Sequence, residues 1–269
     1  ALIAAAGELL RPGGLFFCSY NTLPGWLARS TLQMLSQEEA LRAGGSTTRP
    51  LLEQSARLLG RLCGEGAAPL PLGAALPGLR QEMDAIPSLP ESYLLGEYHA
   101  GHEALYVGPL HRLCAAHGLT HVGSASLPEM FPDLLDPARR SLVSTAADAP
   151  MREVLLDLAI AQTFRRDLFV KGPRKPPASW RQAVLPSFAL HACGVTGDAP
   201  EAFDTGLGRM ALDADFQSTL LDGLSTGSCT IGEVTERFSI DLDEVVRRLR
   251  SEEHTSELQS HSDLVCRLL

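Results

Sequence analysis

The sequence predicts an α/β fold with a mainly helical middle section, and three features support this. Ala1–Leu10 has the apolar spacing of a helix, the turn Arg11–Gly14 ends it, and Leu15–Tyr20 follows as a short apolar run typical of a buried parallel strand. Alternation of strands and helices returns after residue 100. Hydrophobic residues make up 45% of the 269 residues and charged residues 20%, which excludes a disordered chain and a fibrous repeat.

The middle section, residues 21–100, is predicted to be helical because apolar residues recur there at helical spacing and no strand signal is present. The loops AGGSTT (Ala43–Thr48) and Gly64–Gly78 interrupt it, since both are rich in residues that break helices. The predicted helices are Leu27–Ala40, Arg49–Cys63, Leu79–Ala85 and Ser92–His99.

Strand and helix signals then alternate as far as residue 170. Pro109 favours a helix start and Gly118 a helix end, whereas a loop rich in Pro and Asp precedes residue 151. The predicted elements are a strand at Leu105–Val107, a helix at Pro109–His117, a strand at Leu119–Gly123, a helix at Met151–Thr163 and a strand at Asp167–Val170.

A stiff, proline-rich linker, Lys171–Ser179, marks the clearest domain boundary. Beyond it, three short amphipathic helices with tight turns resemble a winged-helix or helix-turn-helix module. They are predicted at Phe216–Leu224, Thr230–Phe238 and Leu242–Leu249. Acidic side chains dominate the second and third of them, so docking of a protein or substrate is expected there rather than DNA binding.

The charge balance limits the partners that the chain can have. Lys and Arg total 23 against 32 Asp and Glu, a net charge of -9, which argues against broad neutralisation of nucleic-acid phosphates. No apolar run reaches the roughly 20 residues of a membrane span. The sequence therefore predicts no nucleic-acid and no membrane partner, and it does not indicate an oligomeric state.

Six scattered cysteines, without a CxxC pair or zinc-type spacing, predict reduced thiols in the cytoplasm and no metal site. His99 and His102 superficially resemble a metal pair, but Gly101 breaks the helix that would align their rings. Arg165 and Arg166 precede the last predicted strand, and we expect them to be solvated or salt-bridged there.

Both ends of the chain are unusual. Ala1 opens inside an apolar helical pattern without a cap, so we expect further residues to precede it in the natural protein. The run RSEEHTSELQSH, which begins at Arg250, resembles a translated short-read sequencing adapter. We therefore expect Ser251–Leu269 to be foreign to the natural protein.

Several blocks of the sequence carry a family resemblance. ELLRPGGLFFCSYN (Glu8–Asn21) resembles the helix, turn and fifth strand of class I S-adenosylmethionine-dependent methyltransferases. Other blocks occur in the order found in bacterial methyltransferases with a methyltransferase regulatory domain, which are similar to rickettsial protein lysine methyltransferases. These blocks are SYNTLPGW (19–26), YLLGEY (93–98), ALYVGPLHRLCAAHGLTHVGSA (104–125), FPDL (131–134) and FRRDLFVKG (164–172).

The resemblance implies the C-terminal part of a Rossmann-like methyltransferase sheet with a helical insertion and a small winged-helix-like module. Leu15–Tyr20 would be the fifth strand, the strand that ends at Gly123 the sixth, and Asp167–Val170 the seventh, an antiparallel edge strand. The implied domains are 1–40 and 101–172 for the core, 41–100 for the helical insertion or regulatory domain, and 180–250 for the module, with 251–269 as the adapter.

The resemblance also implies S-adenosylmethionine as cofactor and a protein side chain, lysine, as methyl acceptor. The glycine-rich loop that would bind the cofactor does not occur in the sequence, so this chain alone is expected to be inactive and to bind the cofactor weakly. A non-catalytic regulatory or protein-binding module is the alternative.

The candidate substrate-binding residues come from two places. Ser19, Tyr20 and Asn21 end the first strand, where ligands bind in open α/β sheets, and Trp26 would supply an aromatic wall. Glu97 and Tyr98 end a predicted helix that would close onto the same site. No catalytic residue can be assigned from the sequence.

Overall fold

In a computed structural model, the chain is described over residues 1–64, 70–98, 101–172, 178–191, 202–205, 207–211, 213–225 and 227–249. The backbone divides into two compact units. Unit 1 contains Ala1–Cys18, His111–Ala147 and Arg166–Leu269, and unit 2 contains Ser19–Leu110 and Asp148–Arg165. The predicted Ser251–Leu269 segment and most of the predicted linker lie outside the described residues.

The opening unit of helix, turn and strand is confirmed. Helix α1 (Leu2–Leu9) is followed by β1 (Leu15–Asn21), and Gly13 in the turn has a left-handed φ of 86° that favours glycine. The strands β2 (Leu119–Ser124) and β3 (Phe164–Lys171) complete a three-stranded sheet of order β1-β3-β2.

Strand β3, the predicted seventh strand, is antiparallel as predicted, but its predicted place at the edge of the sheet is wrong. Strand β3 pairs antiparallel with β2, Leu119 lying opposite Lys171, and it lies between β1 and β2. Arg165 and Arg166 were expected to precede this strand, yet they lie inside it. Arg165 is fully buried and Arg166 is exposed, because neighbouring residues of a strand face opposite sides.

Buried carboxylates explain how an inner strand tolerates Arg165. Its guanidinium donates to Glu153 Oε2 at 2.8 Å and to Asp157 Oδ1 at 2.5 Å. The side chains of these partners are 7% and 3% exposed. A paired and hydrogen-bonded charge can be buried at far lower cost than a lone one.

Strand β1 also differs from the expectation of a strand buried on both faces. Phe16, Cys18 and Tyr20 alternate along its covered face, whereas Leu15 is 64% and Phe17 54% exposed. One face of this strand is therefore apolar and open in the described chain.

The helical middle section is confirmed, with small shifts at its ends. Its core contains five residues that are at most 2% exposed, namely Leu32, Leu52, Leu79, Met83 and Leu94. A short helix also lies within the predicted loop Gly64–Gly78. The helices are α2 (Leu27–Arg42), α3 (Arg49–Leu62), α4 (Pro71–Ala75), α5 (Leu79–Ala85) and α6 (Glu91–Glu97).

The predicted strand Leu105–Val107 is wrong. Leu105 makes a single parallel bridge with Thr22, and Val107 already begins α7 (Val107–Ala116), because Pro109 is accepted in the first turn of a helix. Helix α8 (Pro137–Ser144) was not predicted, although Asp136 caps it by accepting from two backbone amides. Helix α9 (Ala149–Ile160) starts two residues earlier than predicted, at a second aspartate cap, Asp148.

The C-terminal part contains the three predicted helices around their own core. Leu190, Phe216, Leu220, Ile231 and Val245 are buried in it. The helices are α10 (Ala178–Val184), α11 (Ala214–Ser225), α12 (Ile231–Phe238) and α13 (242–249), and the short strands are β4 (Ala189–Leu190), β5 (Ala202–Asp204), β6 (Arg209–Ala211) and β7 (Cys229–Thr230). Strand β4 pairs with β7 and β5 with β6. The assignment as a winged helix remains a prediction.

Two further expectations concern the whole chain. Cys18, Cys63, Cys114 and Cys229 are free thiols, and burial raises the pKa of each. None of the helices in the described part of the chain combines the length and the apolar character that a membrane span requires.

Candidate functional site

Asn21, the last residue of β1, is the centre of a polar cluster in unit 2. Its side-chain amide donates to Glu97 Oε2 and lies 3.0 Å from His102 Nε2. Its backbone carbonyl accepts from Leu105 N at 2.9 Å, which holds the strand end in place. Asn21 is 7% exposed, so the hydrogen bonds form largely out of water.

His102 is positioned by its backbone as well as by its ring. Gln33 donates from Nε2 to the His102 carbonyl at 2.8 Å, and Glu97 Oε2 lies 3.9 Å from His102 Nε2. Asn21 Nδ2 can only donate, so its contact with His102 is a hydrogen bond in the tautomer that carries the ring proton on Nδ1. The cluster therefore combines a carboxylate oxygen with an imidazole nitrogen, both able to accept a proton.

Aromatic rings border the cluster. The ring centroid of Trp26 lies 5.6 Å from that of His102 and 6.1 Å from that of Tyr98, and Arg29 lies 4.8 Å over the indole. Burial raises the pKa of Tyr98 well above its usual range, so its hydroxyl stays neutral. The buried indole Nε1 has no hydrogen-bond partner among the described residues, an arrangement that costs about 1–3 kcal/mol unless a ligand or water accepts from it.

The structure brings together four of the six predicted site residues, namely Asn21, Trp26, Glu97 and Tyr98. Tyr20 is buried on the opposite face of β1 from Asn21, and Ser19 is exposed two positions before Asn21 on the same face. His102 was considered in the sequence only as half of a metal pair, whose other member, His99, lies outside the described residues.

A cleft of about 460 Å³ lies next to the aromatic wall in the same unit. Arg29 lines it and donates from Nε to Glu82 Oε2 at 2.8 Å, so an ion pair spans the lining. Gly25, Ala28, Pro77, Gly78, Gln81 and Ala85 form the rest of the lining. The cleft offers mostly small side chains and one pair of opposite charges.

Two other features bear on cofactor and metal binding. Gly25, the glycine that follows β1, has the carbonyl oxygens of Ala161 and Gln162 where a side chain would begin. Its lack of a side chain therefore allows the two chain segments to pack closely.

The second feature is a cluster of side chains in unit 1. The metal-ligating atoms of His111, His121 and Asp167 all lie within 4.8 Å of one another.

The arrangement around Asn21 suits a primary amine. An ammonium group has three donors and no acceptor, and the carboxylate of Glu97 and the imidazole of His102 both accept. Aromatic faces such as that of Trp26 attract cations. The cluster therefore offers an amine two acceptors beside an aromatic face.

The chain is similar to known proteins over part of their length. Residues 90–171, which include Glu97 and His102, match the sequence model of the predicted methyltransferase regulatory domain. An uncharacterized protein of Synechocystis sp. is 26% identical over 246 residues, which cover 87% of this chain and 46% of that protein. The chain thus spans about half the length of this relative.

The fold is shared with solved structures of PKMT2 from Rickettsia typhi. One has a TM-score of 0.61 at 17% identity and covers 98% of this chain and 54% of PKMT2. Another, PKMT2 in complex with AdoHcy, has a TM-score of 0.60 at 19% identity and covers 98% and 55%. The chain therefore shares its fold with about half of PKMT2, and its residues 90–171 match the predicted methyltransferase regulatory domain.

Proposed function

We propose that this chain forms the amine-binding and regulatory part of an S-adenosylmethionine-dependent methyltransferase that acts on lysine side chains of a protein. The observation that carries the proposal is the convergence of Asn21, Glu97 and His102 beside the indole of Trp26. The regulatory-domain match over 90–171 and the fold of PKMT2 support it.

The chemistry of lysine methylation fits the groups at this site. A lysine amine has a pKa near 10.4 and must lose a proton before its nitrogen can act as a nucleophile. Glu97 and His102 supply the acceptors for that proton, and Asn21 fixes both of them through its amide. The rings of Trp26 and Tyr98 exclude water and limit the approach of the amine, so its orientation is set before reaction.

S-adenosylmethionine supplies the methyl group when it is bound, but the residues of this chain do not fit it. The glycine-rich loop expected for the cofactor does not occur in the sequence, and Gly25, the glycine that follows β1, packs against the carbonyl oxygens of Ala161 and Gln162. We assign the cofactor site to residues of the complete gene product outside this chain. The chain's coverage of only about half of its relatives supports this, as do the exposed Leu15 and Phe17 of β1.

It follows from this assignment that the chain alone transfers no methyl group and binds S-adenosylmethionine weakly. Incubation of residues 1–250 with radiolabelled S-adenosylmethionine and poly-L-lysine should give no labelled polymer. Labelling by this segment would contradict the assignment of the cofactor site.

Protein substrates are selected, in this proposal, by the helical insertion and the C-terminal module. The cleft beside Arg29 and Glu82 is open to a peptide segment, and its charge pair offers both a donor and an acceptor. The acidic second and third helices of the module favour a protein partner over nucleic acid.

The proposed location is the reducing cytoplasm, and the free thiols of the described residues support it.

The amine site is tested by substituting Glu97 in the complete gene product. Glu97→Gln removes the carboxylate but keeps the side-chain shape, and we expect methyl transfer to poly-L-lysine to fall by about 10²–10⁴-fold in kcat. Glu91→Gln is the matched control, because Glu91 lies exposed in the first turn of the same helix. Equal rates for the two variants would contradict a role of Glu97 in proton transfer.

The regulatory-domain match favours a second candidate, a non-catalytic protein-binding module. Such a module would need neither Glu97 nor the methyl donor. A complete gene product that binds no S-adenosylmethionine would support this alternative.

A further inference from the structure

A second polar cluster lies in unit 1 and takes no part in the proposed methyl transfer. His111 comes from α7, His121 from β2 and Asp167 from β3, so three separate elements each contribute one ligating side chain, and the ligating atoms lie within 4.8 Å of one another. A β-bulge follows His121 in the pairing of β2 with β3. Bulges often re-aim a side chain at a functional site.

The contacts within this cluster are close but incomplete. His111 Nε2 lies 2.9 Å from Asp167 Oδ2, which is a hydrogen bond. His121 Nε2 lies 3.7 Å from Asp167 Oδ1, beyond hydrogen-bond distance, and it is buried without a hydrogen-bond partner among the described residues. Buried polar atoms nearly always have a hydrogen-bond partner, because an unpaired one destabilises the folded state. The exception at His121 Nε2 therefore indicates that something else binds this nitrogen.

The surroundings hold the two imidazoles in place. Their rings stack with centroids 4.3 Å apart, and Phe169 meets both of them edge-on at 5.3 and 5.6 Å. Side-chain exposure is 8% for His111, 18% for His121 and 0% for Asp167. The ligating atoms are therefore fixed by aromatic packing, as a preorganised site requires.

The spacing of these atoms matches metal coordination. Ligands about 2.0–2.1 Å from a tetrahedral zinc ion lie roughly 3.4 Å from one another. His111 Nε2 lies 2.9 Å from Asp167 Oδ2 and His121 Nε2 lies 3.7 Å from Asp167 Oδ1, on either side of that value. The ligating atoms of all three residues lie within 4.8 Å of one another, so a small side-chain adjustment brings them around one ion. Two imidazoles and one carboxylate are a ligand set that suits Zn²⁺ and similar transition metals.

We propose that His111, His121 and Asp167 bind a divalent transition-metal ion of the zinc class. The ion gives His121 Nε2 its missing partner and neutralises the buried carboxylate of Asp167. It links α7 to β2 and β3 within unit 1, and three protein ligands leave one coordination position for water. The role of the ion is to stabilise this unit, separately from the amine site.

Metal binding is measured first on the unmodified chain, free of any purification tag and stripped with a chelator. Titration with Co²⁺ is expected to show visible d–d bands that saturate at one ion per chain and disappear when Zn²⁺ is added. Zn²⁺ is expected to raise the Tm of unit 1, because a ligand that binds only the folded state stabilises it. Absence of a saturable Co²⁺ site would overturn the proposal.

Two variants locate the site. His121→Phe keeps the aromatic stack and removes the ligand, and Asp167→Asn removes the charge. Each should weaken Co²⁺ binding by more than the roughly 10–100-fold cost of losing an outer-shell partner. Each should also abolish the rise in Tm caused by Zn²⁺, while the Tm of metal-free His121→Phe stays near that of the unmodified chain.

His191→Ala is the control, since His191 is exposed and outside the cluster, and it should bind Co²⁺ like the unmodified chain. If His121→Phe binds Co²⁺ as tightly as His191→Ala, the ion lies elsewhere and the proposal is wrong. A Tm that Zn²⁺ does not change in the unmodified chain would contradict the stabilising role.

Discussion

At the scale of single residues, Arg165 makes the ion pairs with the largest expected effect on stability. Its side chain is fully buried between Glu153 and Asp157. Replacing it with Met leaves two buried carboxylates without their shared guanidinium, so we expect the free energy of unfolding to fall by about 3–5 kcal/mol. Urea unfolding followed by circular dichroism measures the change.

The neighbouring residue provides the control. Arg166 is exposed on the other face of β3, and Arg166→Ala should change stability by no more than about 0.5 kcal/mol. Adding Glu153→Gln and Asp157→Asn to Arg165→Met should recover most of the loss, because no buried charge then remains. Equal losses of stability in Arg165→Met and Arg166→Ala would show that the buried ion pairs do not stabilise the fold.

The residues of the candidate site could be predicted only in part. The position of Asn21 at a strand end and of Glu97 at a helix end follows from local patterns. Their hydrogen bond joins residues 76 positions apart, which no local pattern predicts. His102 was missed for the same reason, and so was the grouping of His111, His121 and Asp167, which the spacing of His and Asp along the chain does not reveal.

At the scale of elements, the start of α12 offers a pH-dependent test. Thr230 Oγ1 accepts from Glu233 N at 3.2 Å, and Glu233 Oε2 accepts from Thr230 N at 2.7 Å, which together form a capping box. Thr230→Ala should cost about 1 kcal/mol of stability. The backbone hydrogen bond from Thr230 lowers the pKa of Glu233 below its ordinary value of 4.5.

The sign of the pH effect follows from that lowered pKa. The charged form of Glu233 is favoured in the folded state, so its contribution is present above about pH 4.5 and is lost as pH falls through the lowered pKa. Stability of the unmodified chain should therefore fall towards pH 3 more steeply than that of Glu233→Gln. Glu236→Gln, at an exposed position of the same helix, should keep the full slope. Equal slopes in Glu233→Gln and Glu236→Gln would contradict the capping role.

The elements themselves were largely predictable, and the errors have physical causes. Leu79–Ala85 was predicted to the residue because a helix with one apolar face has a strong period. Helix α8 was missed although Asp136 and Pro137 form a standard start signal, because the proline-rich surroundings suggested a loop. Leu105–Val107 failed because three apolar residues do not distinguish a strand from a helix start.

At the scale of the whole molecule, the exposed face of β1 tests whether further residues belong with this chain. Phe17→Ser should leave the stability of this chain nearly unchanged, because Phe17 is already 54% exposed. In the complete gene product, where we propose that residues outside this chain cover the face, the same change should cost about 1.5–3 kcal/mol.

Leu142→Ser is the control for that comparison, since Leu142 is 63% exposed on α8. It should have a small effect in both proteins. If Phe17→Ser has the same effect in this chain as in the complete gene product, β1 is not covered there.

Calorimetric titration of the complete gene product with S-adenosylmethionine tests the proposed methyltransferase most directly. We expect saturable binding at one cofactor per chain by the complete protein and much weaker binding by residues 1–250, because the glycine-rich loop that would bind the cofactor does not occur in this sequence. Absence of binding by the complete protein would contradict the account and leave a non-catalytic regulatory module.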